Sequence, residues 1–116
     1  MLNFEYENVG ANQDIVAVVL SGTIDEANCS YLIDCVAEEV LDGRTKLILD
    51  CDQLEYISSM GLGMLVRVHS RMKKLGGDVK LAAVHGAVAQ VLSVVGLNRI
   101  FHIYPTVAEA VAAHGG

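Results

Sequence analysis

KLILDCDQLEYISSMGLGMLVRVHSRMKKLGGDVKLAAV, residues 46–84, changes its apolar period twice. KLILDC (46–51) is a short, bounded apolar run, which predicts a buried strand. DQLEYI reads as a short extended connection. From Ser59 the spacing lengthens, and Leu62, Leu65, Val66, His69, Met72 and Leu75 fall along one side of a helix. Gly76-Gly77 ends that helix, and VKLAAV (79–84) is the next strand. Strand, helix, strand in this order is the unit of a parallel sheet with right-handed crossovers.

The same alternation continues on both sides. Leu2, Phe4 and Tyr6 alternate with polar residues, which predicts a half-exposed strand. NVGANQD (8–14) is a turn. IVAVVLSG (15–22) reads as a strand buried on both faces. Asp25 can cap a helix running to about Leu41, with Cys29, Leu32, Ile33, Val36 and Val40 at helical spacing and Asp42-Gly43 as its stop. Downstream, AVAQVLSVV is a helix ended by Gly96, RIFHIY is a strand, and Pro105 opens a last helix, TVAEAVAAH. The expected order is β-β-α-β-α-β-α-β-α, in one domain spanning residues 1–116.

The junction at Ser58-Ser59-Met60-Gly61-Leu62-Gly63 is the most informative part of the chain. Ser58 or Ser59 can be the N-cap of the helix, which contributes about 1 kcal/mol. A cap accounts for one serine. It does not account for two glycines in the first turn, each costing roughly 0.8–1 kcal/mol against alanine. Glycines there allow close packing on the sheet, or keep the surface low so that a partner can approach. Met60 and Leu62 between them are then apolar contacts. A hydroxyl at a helix N-terminus can also accept a phosphate, because the free N–H groups and the dipole favour an anion.

Catalytic constellations are not visible. His69, His85, His102 and His114 lie on different elements without ligand spacing, His114 in what reads as a frayed tail. Asp50 and Asp52 could form a metal or acid–base site, but Asp52 more simply caps the turn after its strand. Gly61-Leu62-Gly63 lacks the remainder of a phosphate-cradling or dinucleotide motif, and no nucleophile elbow surrounds the serines. Cys29, Cys35 and Cys51 are odd in number and fit neither a zinc site nor a redox pair, so buried thiols are expected.

With 53% apolar residues among 116, the chain can bury a core and is not of disordered composition. Its net charge of −6 argues against nucleic acid and anionic membranes as partners. The charge is polarised: residues 26–42 carry Glu26, Asp34, Glu38, Glu39 and Asp42 without a base. Residues 60–75 carry Arg67, Arg71, Lys73 and Lys74 without an acid. Such a surface is either two solvated helix faces or a means of orienting a protein partner. MLNFEYEN lacks signal-peptide order, and no apolar stretch has transmembrane length, so a cytoplasmic protein without membrane insertion is expected.

LILDCDQLEYISSMGLGMLV resembles the central motif of the STAS domain, the domain of sulfate transporters and anti-sigma factor antagonists. LSGTIDEANCSYL is similar to that family's turn into its first helix, and residues 76–111 resemble its closing half. The resemblance implies a single α/β STAS domain, with a mixed, mostly parallel sheet of about five strands and four helices. It implies an anti-sigma factor antagonist, not an enzyme, that needs no cofactor or metal and is monomeric alone. Such an antagonist binds an anti-sigma factor that is also a serine kinase. Phosphorylation ends the interaction, and a PP2C-type phosphatase resets it. Aligned on Gly61-Leu62-Gly63, Ser59 falls on the phosphoacceptor, with Ser58 a second candidate, and Asp25 matches an acidic loop residue near it. Asp25, Ser58, Met60, Gly61, Leu62 and Gly63 would form the docking face, with Arg67 and Arg71 at its rim. Ser58 stands where the family usually has Asp, and Met60 where Ser, Thr or Ala is frequent. Two other readings are a non-phosphorylated STAS module, such as the cytoplasmic subunit of a lipid transport system, and a small enzyme with Ser59 as nucleophile.

Overall fold

The structure, a computed structural model, describes residues 2–10, 15–31, 34 and 46–115. Five strands form one sheet: β1 (Leu2–Val9), β2 (Ile15–Ile24), β3 (Lys46–Ile57), β4 (Asp78–Ala82) and β5 (His102–Tyr104). They lie in chain order; β1 is antiparallel to β2, and every later pair is parallel. The helices are α1 (Ser59–Lys74), α2 (Gly86–Val94) and α3 (Val107–Ala113), with helical residues also at 29–31 and at Asp34. The expected α/β class and mixed sheet are what the structure shows.

Period-two alternation divides the strand side chains between the two faces of the sheet. Val16, Val18, Leu20, Leu47, Leu49, Val79 and Leu81 pack with Leu62, Leu65, Val68 and Met72 of α1 and Val88 and Leu92 of α2. Each such side chain contributes roughly 1.5–3 kcal/mol when fully buried. On the other face Ile15, Ala17, Ile48 and Ala82 meet Ala110 of α3. Lys80 is also buried, its Nζ 2.7 Å from Asp78 Oδ2 and 5.8 Å from the Tyr104 ring centroid.

Several boundaries differ from the sequence reading. DQLEYI is no separate connection: β3 continues through it and pairs with β2 up to Ile24–Ile57, with two register shifts that absorb its irregular pattern. Asp52 is therefore an exposed strand residue and caps no turn. In α1, Val68 joins the buried stripe, Val66 and His69 are half-buried, and Leu75 is exposed. RIFHIY forms strand only at His102–Tyr104, because Leu97–Arg99 closes a 3-10 turn and buries Leu97 and Phe101. Pro105 precedes the last helix, whose N-cap is Thr106, its hydroxyl accepting from Glu109 N at 3.1 Å. His114 is not frayed: its Nε2 donates to Leu47 O at 2.9 Å, and burial lowers its pKa, favouring the neutral ring that makes this bond. Cys35 and the predicted helix positions Leu32, Ile33, Val36, Val40 and Leu41, with the Asp42-Gly43 stop and most of the NVGANQD turn, lie outside the described residues.

Candidate functional site

Parallel pairing brings two distant loops together at the C-terminal ends of two interior strands, β2 and β3. Ile24 and Ile57 are register partners, so the residues that follow them, Asp25 and Ser58, leave the sheet side by side. The Ser58 N–H donates to Ile24 O at 2.8 Å and ties the two exits together. The sequence reading placed Asp25 near the serines only through resemblance; the strand register supplies the physical cause.

Asp25 and Asn28 cap each other. The Asp25 carboxylate accepts from Ala27 N at 2.9 Å and Asn28 N at 3.2 Å, while Asn28 Oδ1 accepts from Asp25 N at 2.9 Å. Asn28 Nδ2 also donates to Thr23 O at 2.9 Å, and the residue is buried. This reciprocal arrangement is a capping box with Asn in the third position. Asn28 was missed from sequence, although the Asp-x-x-Asn spacing carries the signal.

The two serines divide their roles. Ser58 is the N-cap of α1: its Oγ accepts from Gly61 N at 3.1 Å, and only 6% of the residue is exposed. Ser59 is the first helical residue and is exposed. The first turn of α1 itself holds no acidic residue, and the loop carboxylate of Asp25 is engaged with Ala27 N and Asn28 N.

The two glycines divide in the same way. A Cβ on Gly61 would come within 2.7 Å of Ile24 Cγ2 and 2.8 Å of Ile57 Cγ1, so the absent side chain lets the helix seat against the strand ends. A Cβ on Gly63 would meet nothing within 4 Å. Leu62 faces the core at 7% exposure, whereas Met60 is 52% exposed. Of the expected docking residues, Met60 and Gly63 open to solvent and Asp25 is half-buried. Ser58, Gly61 and Leu62 are turned inward and support that surface from beneath. Arg67 and Arg71 are exposed on the same helix. Tyr56, two residues before Ser58, and Tyr31, just past the Asp25–Asn28 box, are both exposed aromatics that sequence reasoning passed over. Their signal is an aromatic at a position that breaks the strand or helix burial pattern.

The remaining candidates for chemistry are occupied structurally. Burial, with Asp50 beside it, pushes the Cys51 thiol up to about 12, which removes thiolate reactivity. Cys29 is buried as well. His69 meets Phe101 edge-on at 5.0 Å, and burial, then Lys73, lowers its pKa. His85 Nε2 lies 2.6 Å from Asp52 O, joining the loop after β4 to β3. Among the described residues no group of three or more His, Cys, Asp or Glu is placed to hold a metal ion, and no helix is long and apolar enough to cross a membrane.

Comparison with known proteins bears on the family and the fold. The family model for the STAS domain matches residues 6–110. A Thermotoga neapolitana protein named among the anti-sigma factor antagonists is 30% identical over 99 residues, covering 84% of this chain and 88% of its own. The anti-sigma-F factor antagonist RsfB of Mycobacterium tuberculosis is 26% identical over 110 residues, covering 93% of this chain and 88% of its own. The crystal structure of a Thermotoga maritima protein named in the same way superimposes with a TM-score of 0.85 at 29% identity, over 95% of this chain and 92% of that one.

Proposed function

The chain belongs to the STAS domain family, and on that premise we propose that it is a cytoplasmic anti-sigma factor antagonist whose partner, an anti-sigma factor with serine kinase activity, is released by phosphorylation of Ser59. The names of its relatives support the antagonist role. The observation that carries the choice of residue is the division of the serine pair: Ser58 is buried and bonded to Gly61, while Ser59 is exposed at the first turn of α1.

The energetics suit a switch. In the monomer, a phosphate on Ser59 meets water and the positive N-terminal end of α1, whose first turn holds no acidic residue. In a docked complex with Met60 and Gly63, the same dianion is desolvated without a partner. An uncompensated buried charge costs about 3–5 kcal/mol. At about 1.4 kcal/mol per tenfold, that is a loss of hundreds- to thousands-fold in affinity. The antagonist itself supplies the acceptor hydroxyl and the docking surface; the kinase supplies the phosphoryl-transfer chemistry, and a PP2C-type phosphatase restores the hydroxyl.

The test is incubation with the cognate anti-sigma kinase and Mg-ATP, followed by intact mass. One added phosphate is expected, absent in Ser59→Ala and retained in Ser58→Ala. Calorimetry should then show binding of the unmodified chain and loss of at least about a hundredfold after phosphorylation. No phosphate on the wild type would favour a permanent contact module. Loss in Ser58→Ala alone would move the acceptor to Ser58.

A further inference from the structure

The exposed side of α1 does not end at the serine. At 100° per residue, Ser59, Met60, Gly63, Arg67, Ser70, Arg71 and Lys74 fall within about 120° of the helix circumference, and all seven are exposed. The stripe changes character along its length. Its first half is small and apolar. Its second half is basic, with a shallow groove of about 430 Å³ lined by Arg67, Ser70, Arg71, Lys74 and Leu75. Half of the chain's eight Lys and Arg residues lie on this one helix. Lys73 pairs with Asp78 at 3.2 Å, but among the described residues Arg67, Arg71 and Lys74 have no carboxylate within ion-pair distance. Leu75, 51% exposed, adds an apolar contact at the end of the groove.

We infer that this basic half of α1 is a second docking element, which receives a short acidic segment of the protein partner bearing an apolar residue for Leu75. The inference rests on the antagonist reading and extends its docking face along the helix. Arg67 to Leu75 spans about 12 Å, the length of some four extended residues. That matches a short acidic stretch. A nucleic acid or an anionic membrane would run past the groove onto a molecule whose net charge is −6.

The two halves of the stripe have separable effects. Ser59 and Arg67 are about 12 Å apart along the axis, beyond the Debye length of about 8 Å at physiological salt. The basic half therefore governs encounter with the partner and its salt dependence, while the Ser59 half governs whether the complex survives.

The probe is the pentapeptide acetyl-Glu-Glu-Leu-Glu-Glu-amide, titrated at low ionic strength into the ¹⁵N-labelled full chain. Amide shifts are expected at Arg67, Ser70, Arg71, Lys74 and Leu75, suppressed by added salt. The double variant R67Q/R71Q should weaken the peptide about tenfold or more, and R99Q, a change of an exposed arginine off this helix, should leave it unchanged. Shifts spread over the whole surface, wild-type binding by R67Q/R71Q, or stronger occupation of the same residues by phosphatidylglycerol vesicles or a single-stranded oligodeoxynucleotide would each overturn the inference. With the anti-sigma kinase, R67Q/R71Q should slow association about tenfold and flatten its salt dependence, while release on Ser59 phosphorylation persists. Failure of the kinase to bind the wild-type chain would defeat the antagonist reading, and the peptide map would still decide the basic groove.

Discussion

The inner and outer sides of the first turn of α1 use the same kinds of residue for opposite purposes. Ser58, Gly61 and Leu62 face the strand ends; Ser59, Met60 and Gly63 face solvent. A serine, a glycine and a large apolar residue appear on each side. On the inner side they are held by a hydrogen bond, a close approach to Ile24 and Ile57, and core packing. On the outer side nothing in the monomer requires them. A residue type at a helix start does not disclose its role; its position relative to the sheet does.

Paired substitutions test this division. The largest contrast is Leu62→Ala against Met60→Ala. The first removes a core side chain and should cost about 2–5 kcal/mol in denaturant unfolding. The second should stay within about 0.5 kcal/mol while weakening partner binding. Equal stability losses would erase the inner–outer distinction.

Next are the glycines, where the two sides should differ in sign. Gly61→Ala forces a methyl against Ile24 and Ile57 and should destabilise by about 1–3 kcal/mol. Gly63→Ala enters open space and should stabilise by roughly 0.8–1 kcal/mol through helix propensity, at the expense of docking. Thermal melts of the two variants should move in opposite directions.

The serines give a smaller effect. Ser58→Ala loses the cap on Gly61 N, a cost of about 1 kcal/mol. Ser59→Ala should leave unfolding unchanged, and only the kinase assay should detect it.

A last contrast comes from the far end of α1 and depends on pH. Burial alone would raise the Asp78 carboxyl, but Lys80 and Lys73 outweigh it and hold the group down to about 2, from an ordinary 3.8. A carboxyl depressed in the folded state stabilises fully above its unfolded value and loses that contribution as pH falls through the folded one. Stability should therefore decline between about pH 4 and pH 2, and Asp78→Asn should flatten that part of the acid-unfolding profile.

Much of the fold was legible from local pattern. The bounded apolar run at 46–51, the 3.6-residue spacing from Ser59 and the second short run at 79–84 marked a strand, a helix and a strand. Gly76 marked the end of α1 because its φ of 79° suits glycine, with Gly77 N bonded to Met72 O and Gly76 N to Lys73 O. The limits of β3 were not legible. Residues 52–57 alternate poorly, and only pairing with β2 across two register shifts keeps them in the sheet. Likewise His114 looked free because its acceptor, Leu47 O, is remote in the chain.

By itself the sequence determined the order of elements, the start of α1 at a serine pair and the concentration of cations on that helix, since each depends on neighbours a few residues apart. Tertiary structure alone decided which serine is buried, which glycine admits the strand ends and why Asp25 stands beside Ser58. Those facts depend on the Ile24–Ile57 register, a contact between segments more than thirty residues apart that no local period encodes.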